Sequence, residues 1–285
     1  MSPTVKACVL CSSFNRAATT VAGLTSLSNA LGQVPGLSFT IFLLDDASTD
    51  GTAAQVRQAL PDVCIVNGTG SMFWNRGMIA AYGAARAAPQ GPWDAYLLFN
   101  DDTDVDADGV RQLFNHYMQE NAAGPTACVG RLVDPDTGIS TYGGYRRPLR
   151  CHPLRIVPVE PTGAVEACDT FNGNFVLIPG AAFDAIGGLC PDYWHSYGDI
   201  DTGYALTRHG ARVVLVASPI GTARRNPPVD MSTRAKRYKR MFGPPNSVAQ
   251  TYAFYRRNGC AANWWLFATG AIVKKWLVVL RGGAN

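Results

Sequence analysis

The chain has 285 residues, 47% hydrophobic and 16% charged, with a net charge of +4. That excludes a chain too short or too polar to bury a core, and leaves room for one large domain or two small ones. The charge is split: residues 1–220 carry 13 Lys/Arg against 20 Asp/Glu, and residues 221–285 carry 12 against one, so the balance swings from −7 to +11.

"VKACVLCS" (5–12) predicts a buried strand, followed by a helix around 17–31. "SFTIFLLD" (38–45) is a second strand, and Ser48, Thr49 and Asp50 supply capping residues for a helix over 51–60. "VCIVN" (63–67) is a third strand and "NRGMIAAYGAARAA" (75–88) a helix; "AYLLFN" (95–100) and "ADGVRQLFNHYMQE" (107–120) repeat the pair. Strands alternating with helices predict a mostly parallel sheet covered on both faces. Short strand-like pieces follow over 126–179, then helices at 180–187 and 199–209 and a strand at 211–217. Two further helices, about 247–257 and 262–280, close the chain. The division expected is a catalytic unit over 1–220, with halves at about 1–125 and 126–220, and a basic, aromatic-rich helical tail over 221–285.

The N-terminus "MSPTVKACVL" enters its strand without a charged n-region or cleavage site, so no secretory leader is expected. The eight scattered cysteines are read as mostly buried free thiols in a reducing cytosol. Cys8 and Cys11 form a C-x-x-C, but three-residue spacing on a strand sends them to opposite faces, and no second pair completes a zinc set.

The acids are concentrated. Asp101, Asp102, Asp104, Asp106 and Asp108 follow the fourth strand at once. Ligands of an open parallel sheet sit at the carboxyl ends of its strands, and those ends read "SSFNR", "DDASTDGT", "NGTGSMFWNRG" and "NDDTD". A dinucleotide site needs glycines after the first strand, and "CSSFNRAATT" has none; no P-loop pattern occurs. The remaining way to hold a phosphate is a hard divalent cation, Mg²⁺ or Mn²⁺, on carboxylate oxygens. Asp101 and Asp102 are the metal candidates. Asp106 and Asp108 suit the cap and N-terminal dipole of the next helix, and Asp104 suits either role.

"SSFNR", "LLDDASTDGT", "LLFNDDTD" and "HSYGDIDTGYALTRHG" together resemble the inverting GT-A glycosyltransferases of family two, over roughly residues 5–220. "GSMFWNRGMIAA" and "YRRN" further resemble the branch that builds bacterial surface polysaccharides, rhamnosyl- and galactofuranosyl-transferases among them. The resemblance implies a Rossmann-like α/β fold and a nucleotide-sugar donor. It places the metal-binding acid at Asp102, with Asn100 where the family's motif begins with Asp. It places nucleotide contacts at Ser12, Phe14, Asn15, Arg16, Asp46, Asn75, Asn100 and Asp101, and the general base at Asp199. Asn172, Gly173, Asn174, Trp194 and His195 fall on the acceptor side. Some members place a metal-binding His where this chain reads "GTARRN", which has none.

Several of these residues also have plain structural readings. Asp46 could cap a helix, Phe14 and Trp74 could be core, and Asn172 and Asn174 a tight turn; Arg146 and Arg147 suit a solvated pair. Asp199 and Asp201 lie about 200° apart around a helix, so one of them at most faces the crevice. In the tail, "MSTRAKRYKRMFGPPN" interleaves cations with aromatics, and the apolar run from Trp264 to Val273 is half the ~20 residues a membrane span needs. Such a helix suits the plane of an anionic membrane surface; packing on the catalytic unit, or on a second subunit in a homodimer, is the alternative. Nucleic acid is not expected as a partner, since neither an aromatic sheet nor a recognition helix is evident.

The reading is an inverting, metal-dependent transferase acting on a UDP-, dTDP- or GDP-sugar and a glycan acceptor on a lipid carrier. It would work in the cytoplasm, peripherally on the inner face of the cell membrane. A sugar nucleotidyltransferase and an inactive membrane-docked scaffold are the rivals.

Overall fold

The computed structural model describes residues 5–281. In chain order the first half runs β1 (Val5–Ser13), α1 (Ala17–Leu31), β2 (Leu37–Asp45), α2 (Thr52–Ala59), β3 (Cys64–Asn67), α3 (Phe73–Ala87), β4 (Ala95–Phe99), β5 (Asp104–Val105) and α4 (Ala107–Ala123). Strands then dominate: β6 (Thr126–Val133), β7 (Ser140–Tyr142), β8 (Gly144–Arg146), β9 (Val157–Pro158), β10 (Glu166–Ala167), β11 (Thr170–Phe171) and β12 (Phe175–Pro179). The rest is α5 (Gly180–Ala185), α6 (Gly198–Arg208), β13 (Arg212–Thr222), α7 (Arg234–Phe242), a 3₁₀ turn at Pro244–Asn246, α8 (Val248–Asn258) and α9 (Trp264–Arg281).

The main sheet has the order β10-β13-β6-β12-β4-β1-β2-β3, with β5 and β7 as short additions, and β11-β8-β9 form a small second sheet. β3, β2, β1 and β4 are parallel, as the strand–helix alternation predicts. β12 is antiparallel to both β4 and β6, so the sheet is mixed across its middle. β1 is apolar on both faces because helices cover both. Ala7, Val9 and Cys11 enter one buried cluster with α1 and α4, while Cys8 and Leu10 enter another with α3. Cys8 and Cys11 therefore do point apart, and burial pushes both thiols up, away from redox chemistry.

Two expectations are corrected, and one segment left unassigned is resolved. Cys151 and Cys260 are joined by a disulfide, so not every cysteine is a free thiol. The basic segment after residue 230 is a helix, α7, capped by Thr233, whose hydroxyl accepts from the Lys236 amide. Arg147 is not solvated: its guanidinium lies 4.5 Å from the Tyr204 ring and donates to the Asn258 carbonyl.

The closing helices are anchored to the α6 region. Phe254 and Tyr255 of α8 pack with Tyr193 and Tyr204, and Ala268 of α9 joins the same cluster.

Candidate active site

β1 pairs with β2 on one side and β4 on the other, so chain order reverses at β1. Such a switch point opens a crevice at the strands' carboxyl ends. Here it holds a cavity of ≈ 330 Å³. Ser12, Phe14 and Arg16 line it from the end of β1, Asp46 from the end of β2, and Asn100 and Asp102 from the turn after β4. Phe14 is half exposed, so it is not core.

The backbone around this cavity is locally strained. Among the described residues, the non-glycine residues with positive φ are Asn15, Ala47, Phe73 and Tyr197. Each is in, or next in chain to, a crevice-side loop, and strain of this kind gathers where neighbouring structure holds a functional surface in place.

The acid cluster divides its work. Asp106 caps α4 by accepting from the Gly109 amide, and Asp104 accepts from the Ser26 hydroxyl. Asp101 is buried, with one oxygen taken by Arg16 Nη1 at 2.8 Å and the other by Thr20 Oγ1 at 2.7 Å. Both of its oxygens are thus already engaged by protein donors, although Asp101 also lines the cavity. α1 lies so close to this turn that a Cβ at Gly23 would fall 2.2 Å from the Asp101 carbonyl oxygen.

Asp102 differs. Its Oδ1 is buried without a hydrogen-bond partner, and only Arg16, at 3.4 Å, approaches Oδ2. Burial and the adjacent Asp101 charge push its pKa up. An unsatisfied, reluctantly ionised carboxylate on a cavity wall suits a hard cation. No group of three or more His, Cys, Asp or Glu side chains stands ready for a metal among the described residues. A cation on Asp102 would therefore complete its shell from ligand oxygens and water.

Two expected contacts do not reach the cavity. Asn75 is fully buried, and its Nδ2 donates to the carbonyls of Cys190 and Tyr193. It braces the loop before α6 instead of meeting a nucleotide. Asn15 ties two loops together, accepting from the Thr49 amide while its own amide donates to Ser48. Asp46 lines the cavity, but its carboxylate accepts the amides of Thr69, Gly70 and Met72 and so shapes the loop after β3. It caps no helix; Asp50 serves α2, accepting from the Thr52 amide and hydroxyl.

That loop supplies residues the sequence reading left out of its site. Ser71, Phe73 and Trp74 line the cavity, and Trp74 Nε1 donates to Asn100 Oδ1 at 2.7 Å. Asn226, at the end of "GTARRN", lines it beside Asp102. The signals were a glycine-bounded "GTGSMFW" after a strand end, and an amide at the end of the segment where histidine is lacking.

On the far side of Trp74 lies Asp199, in the first turn of α6. A Cβ at Gly173 would stand 2.6 Å from the Trp74 ring and 3.3 Å from Asp199 Cβ, so only glycine lets the ring and the carboxylate close on this turn. Asp199 accepts from the Gly173 amide at 3.2 Å and from the Ile200 amide at 2.8 Å. Burial nevertheless pushes its pKa up. Asp201 faces the other way, 1% exposed, onto Arg257, Asn258 and Tyr193. The two acids diverge, as helical spacing requires; Asp199 meets the Gly173 turn and is not among the residues that line the cavity.

Of the acceptor-side residues, His195 lines the cavity. Trp194 stacks under Arg76, 3.7 Å from ring to guanidinium, and its amide donates to Gln250. Asn172 accepts from the Tyr145 hydroxyl, and the Asn174 carbonyl accepts from the Asn100 amide.

Residues 8–165, more than half of the chain, match the profile of glycosyl transferase family 2. The chain belongs to that family. It is a GT-A glycosyltransferase, with a Rossmann-like mixed sheet, a crevice at the switch point and a C-terminal helical extension. Among solved structures it is similar to the mannosyltransferase PcManGT from Pyrobaculum calidifontis in complex with GDP-Man and Mn²⁺. That likeness covers 100% of this chain and 77% of the other, at 17% identity and a TM-score of 0.51, so it is one of fold. No curated protein sequence matches the chain.

Proposed function

We propose that this glycosyltransferase moves a hexosyl or deoxyhexosyl group, with inversion, from a UDP-, dTDP- or GDP-sugar to a glycan acceptor. The observation that carries the reading is a pair of carboxylates: Asp102 on the crevice wall with an unpartnered oxygen, and Asp199 at the start of α6, at the Gly173 turn that packs on Trp74. The solved relative's GDP-Man and Mn²⁺ agree with such a donor and cation.

Asp102 would hold Mn²⁺ or Mg²⁺, which would supply positive charge to offset that of the departing nucleotide diphosphate. Asn100 and Trp74 hold the wall between donor and acceptor. Arg16, shared between Asp101 and Asp102, sets a fixed positive charge beside the diphosphate. Asp199 accepts the proton of the acceptor hydroxyl as that oxygen attacks the anomeric carbon, opposite the leaving group. Its burial favours this role, because a raised pKa makes it a stronger base than a solvated carboxylate.

The acceptor in this reading is carried on a lipid, as a step in bacterial surface polysaccharide (O-antigen-like) synthesis, with residues 221–285 docking the enzyme on the anionic inner face of the membrane. Among the described residues no helix is long and apolar enough to cross one. What supports docking is α9, which exposes Trp265, Leu266, Val273, Trp276, Leu277 and Leu280 on one face. α7, packed on it through Tyr238 and Phe242 against Trp276, carries five cations and no acid.

Titration calorimetry with UDP, dTDP and GDP, each with and without Mn²⁺, tests the core of this. One nucleotide should bind only with the cation; no binding by any of them would overturn the reading.

A further inference from the structure

A second cavity, of ≈ 160 Å³, lies between β6, β7, β8 and β13. Arg131, Thr141, Tyr142, Tyr145, Glu160 and Arg225 line it. Thr141 is 8% exposed, and its buried hydroxyl has no hydrogen-bond partner. A hydroxyl left unsatisfied in a protein interior is unfavourable unless something meets it. Arg131 is fixed by bonds from Nε to the Ala217 carbonyl and from Nη1 to Ser140, leaving Nη2 without a protein acceptor among the described residues. Arg225 reaches one carbonyl, that of Ser140, at 3.5 Å, and no carboxylate.

The cavity joins the active site in two ways. Arg225 also lines a cleft shared with Asp102 and Asn226, and those two residues line the donor crevice. On the other side the Tyr145 hydroxyl donates to Asn172, and the amide of the next residue, Gly173, donates to Asp199. Shared lining residues therefore link this cavity to the donor crevice, and Asp199 is bound to the residue that follows Asn172.

We infer that this cavity is a carbohydrate subsite that holds a sugar ring of the acceptor glycan behind its reacting end. The inference rests on the glycosyltransferase reading above. The chemistry fits a sugar: tyrosine rings offer flat apolar faces, while guanidinium, carboxylate and hydroxyl groups sit at fixed points around them. Two arginines against one glutamate also allow a sugar that carries an acid group.

The test is saturation-transfer NMR on the full-length protein with methyl glycosides of mannose, rhamnose, galactose, glucose and glucuronic acid. Thr141→Val and Arg225→Met are the variants, and nucleoside diphosphate with Mn²⁺ is titrated in parallel. At least one glycoside should bind the wild type, and each variant should weaken it by about tenfold, the loss of one hydrogen bond to the sugar. Nucleotide affinity should not change. Thr141→Val should melt at or above the wild-type temperature, because it removes an unpaired hydroxyl; a purely structural threonine would lower it. Binding of no glycoside, or unchanged binding by Thr141→Val, overturns the subsite while nucleotide binding leaves the parent reading standing. Failure of nucleotide binding by the wild type overturns both.

Discussion

Arg257 Nε lies 3.0 Å from both carboxylate oxygens of Asp201, joining the closing helices to the helix that begins with Asp199. Asp201 is 1% exposed, and Asn258 Nδ2 and Tyr193 donate to it as well. Burial raises its pKa despite those partners. Arg257→Met removes the cation and leaves the carboxylate behind. The expected loss is about 2 kcal/mol, less than for a fully buried pair, because Arg257 is 40% exposed and Asn258 still donates. The sign with pH follows from the raised pKa. The folded state holds the Asp201 proton more tightly than the unfolded chain, so protonation relieves the stranded charge. The deficit of Arg257→Met should shrink as pH falls from 7 toward 5, read by urea unfolding at each pH. A deficit independent of pH would mean that the packing of Arg257, and not its charge, holds the helices.

Asp199→Asn keeps the shape and removes the base. Donor binding should stay near normal, while turnover falls by about two orders of magnitude or more. Asp201→Asn should chiefly lower the melting temperature. The wild-type pH profile adds a second check. Burial holds the Asp199 carboxyl above its ordinary value, and only the ionised form accepts a proton. The acid limb of kcat/KM should therefore lie above the ordinary aspartate pKa of about 3.9, and be absent from the residual activity of Asp199→Asn. Greater loss of turnover in Asp201→Asn than in Asp199→Asn would reverse the assignment.

Asp102→Ala should abolish cation-dependent nucleotide binding with little change in melting temperature. Its Oδ1 makes no hydrogen bond to lose, and removing its charge relieves repulsion with Asp101. Chelation of the wild type should give the same calorimetric result. Asp101→Ala should instead destabilise the fold, since it removes the short bonds to Arg16 and Thr20 and leaves a cavity in a buried turn. If Asp101→Ala leaves stability intact and loses the cation, the two acids have been assigned the wrong way round.

The alternation of apolar strands with helices made the sheet and its crevice legible, because buried parallel strands must be apolar and their carboxyl ends must carry the polar residues. Ser12, Phe14, Asp46 and Asp102 lie at strand ends read that way and line the crevice, while Asn100 came from the family resemblance. Asn75 and Asn15 were not readable correctly, since a polar residue at a strand end can serve a ligand or a neighbouring backbone, and only the fold shows which. Asn75 proved to serve the carbonyls of Cys190 and Tyr193, 115 and 118 residues away. The Cys151–Cys260 bridge, 109 residues apart, left no local pattern. The division between Asp199 and Asp201 was legible because helical geometry alone requires them to diverge.

The tail gives the last prediction. Along α9, Trp265, Val273, Trp276 and Leu280 recur at helical spacing on one exposed face, with Leu266 and Leu277 beside them. Arg234, Lys239, Arg240, Lys274 and Arg281 have no salt-bridge partner among the described residues, while Arg257, Lys236 and Arg224 do. Each such cation near an anionic surface is worth roughly 1 kcal/mol, fading beyond a Debye length of about 8 Å at physiological salt. Full-length protein should therefore pellet with phosphatidylserine-containing vesicles more than with neutral ones, and less as salt rises. Leu266→Glu with Leu280→Glu should lose most of that binding without a change in melting temperature, because both side chains are more than half exposed, at 54% and 55%. Truncation before α9 is a poorer test, since it would remove Ala268 from the cluster that seats α8 on α6. If wild-type protein ignores vesicles and forms a dimer that the double variant breaks, the face belongs to a second copy of the chain, and the case for a lipid-carried acceptor loses its support.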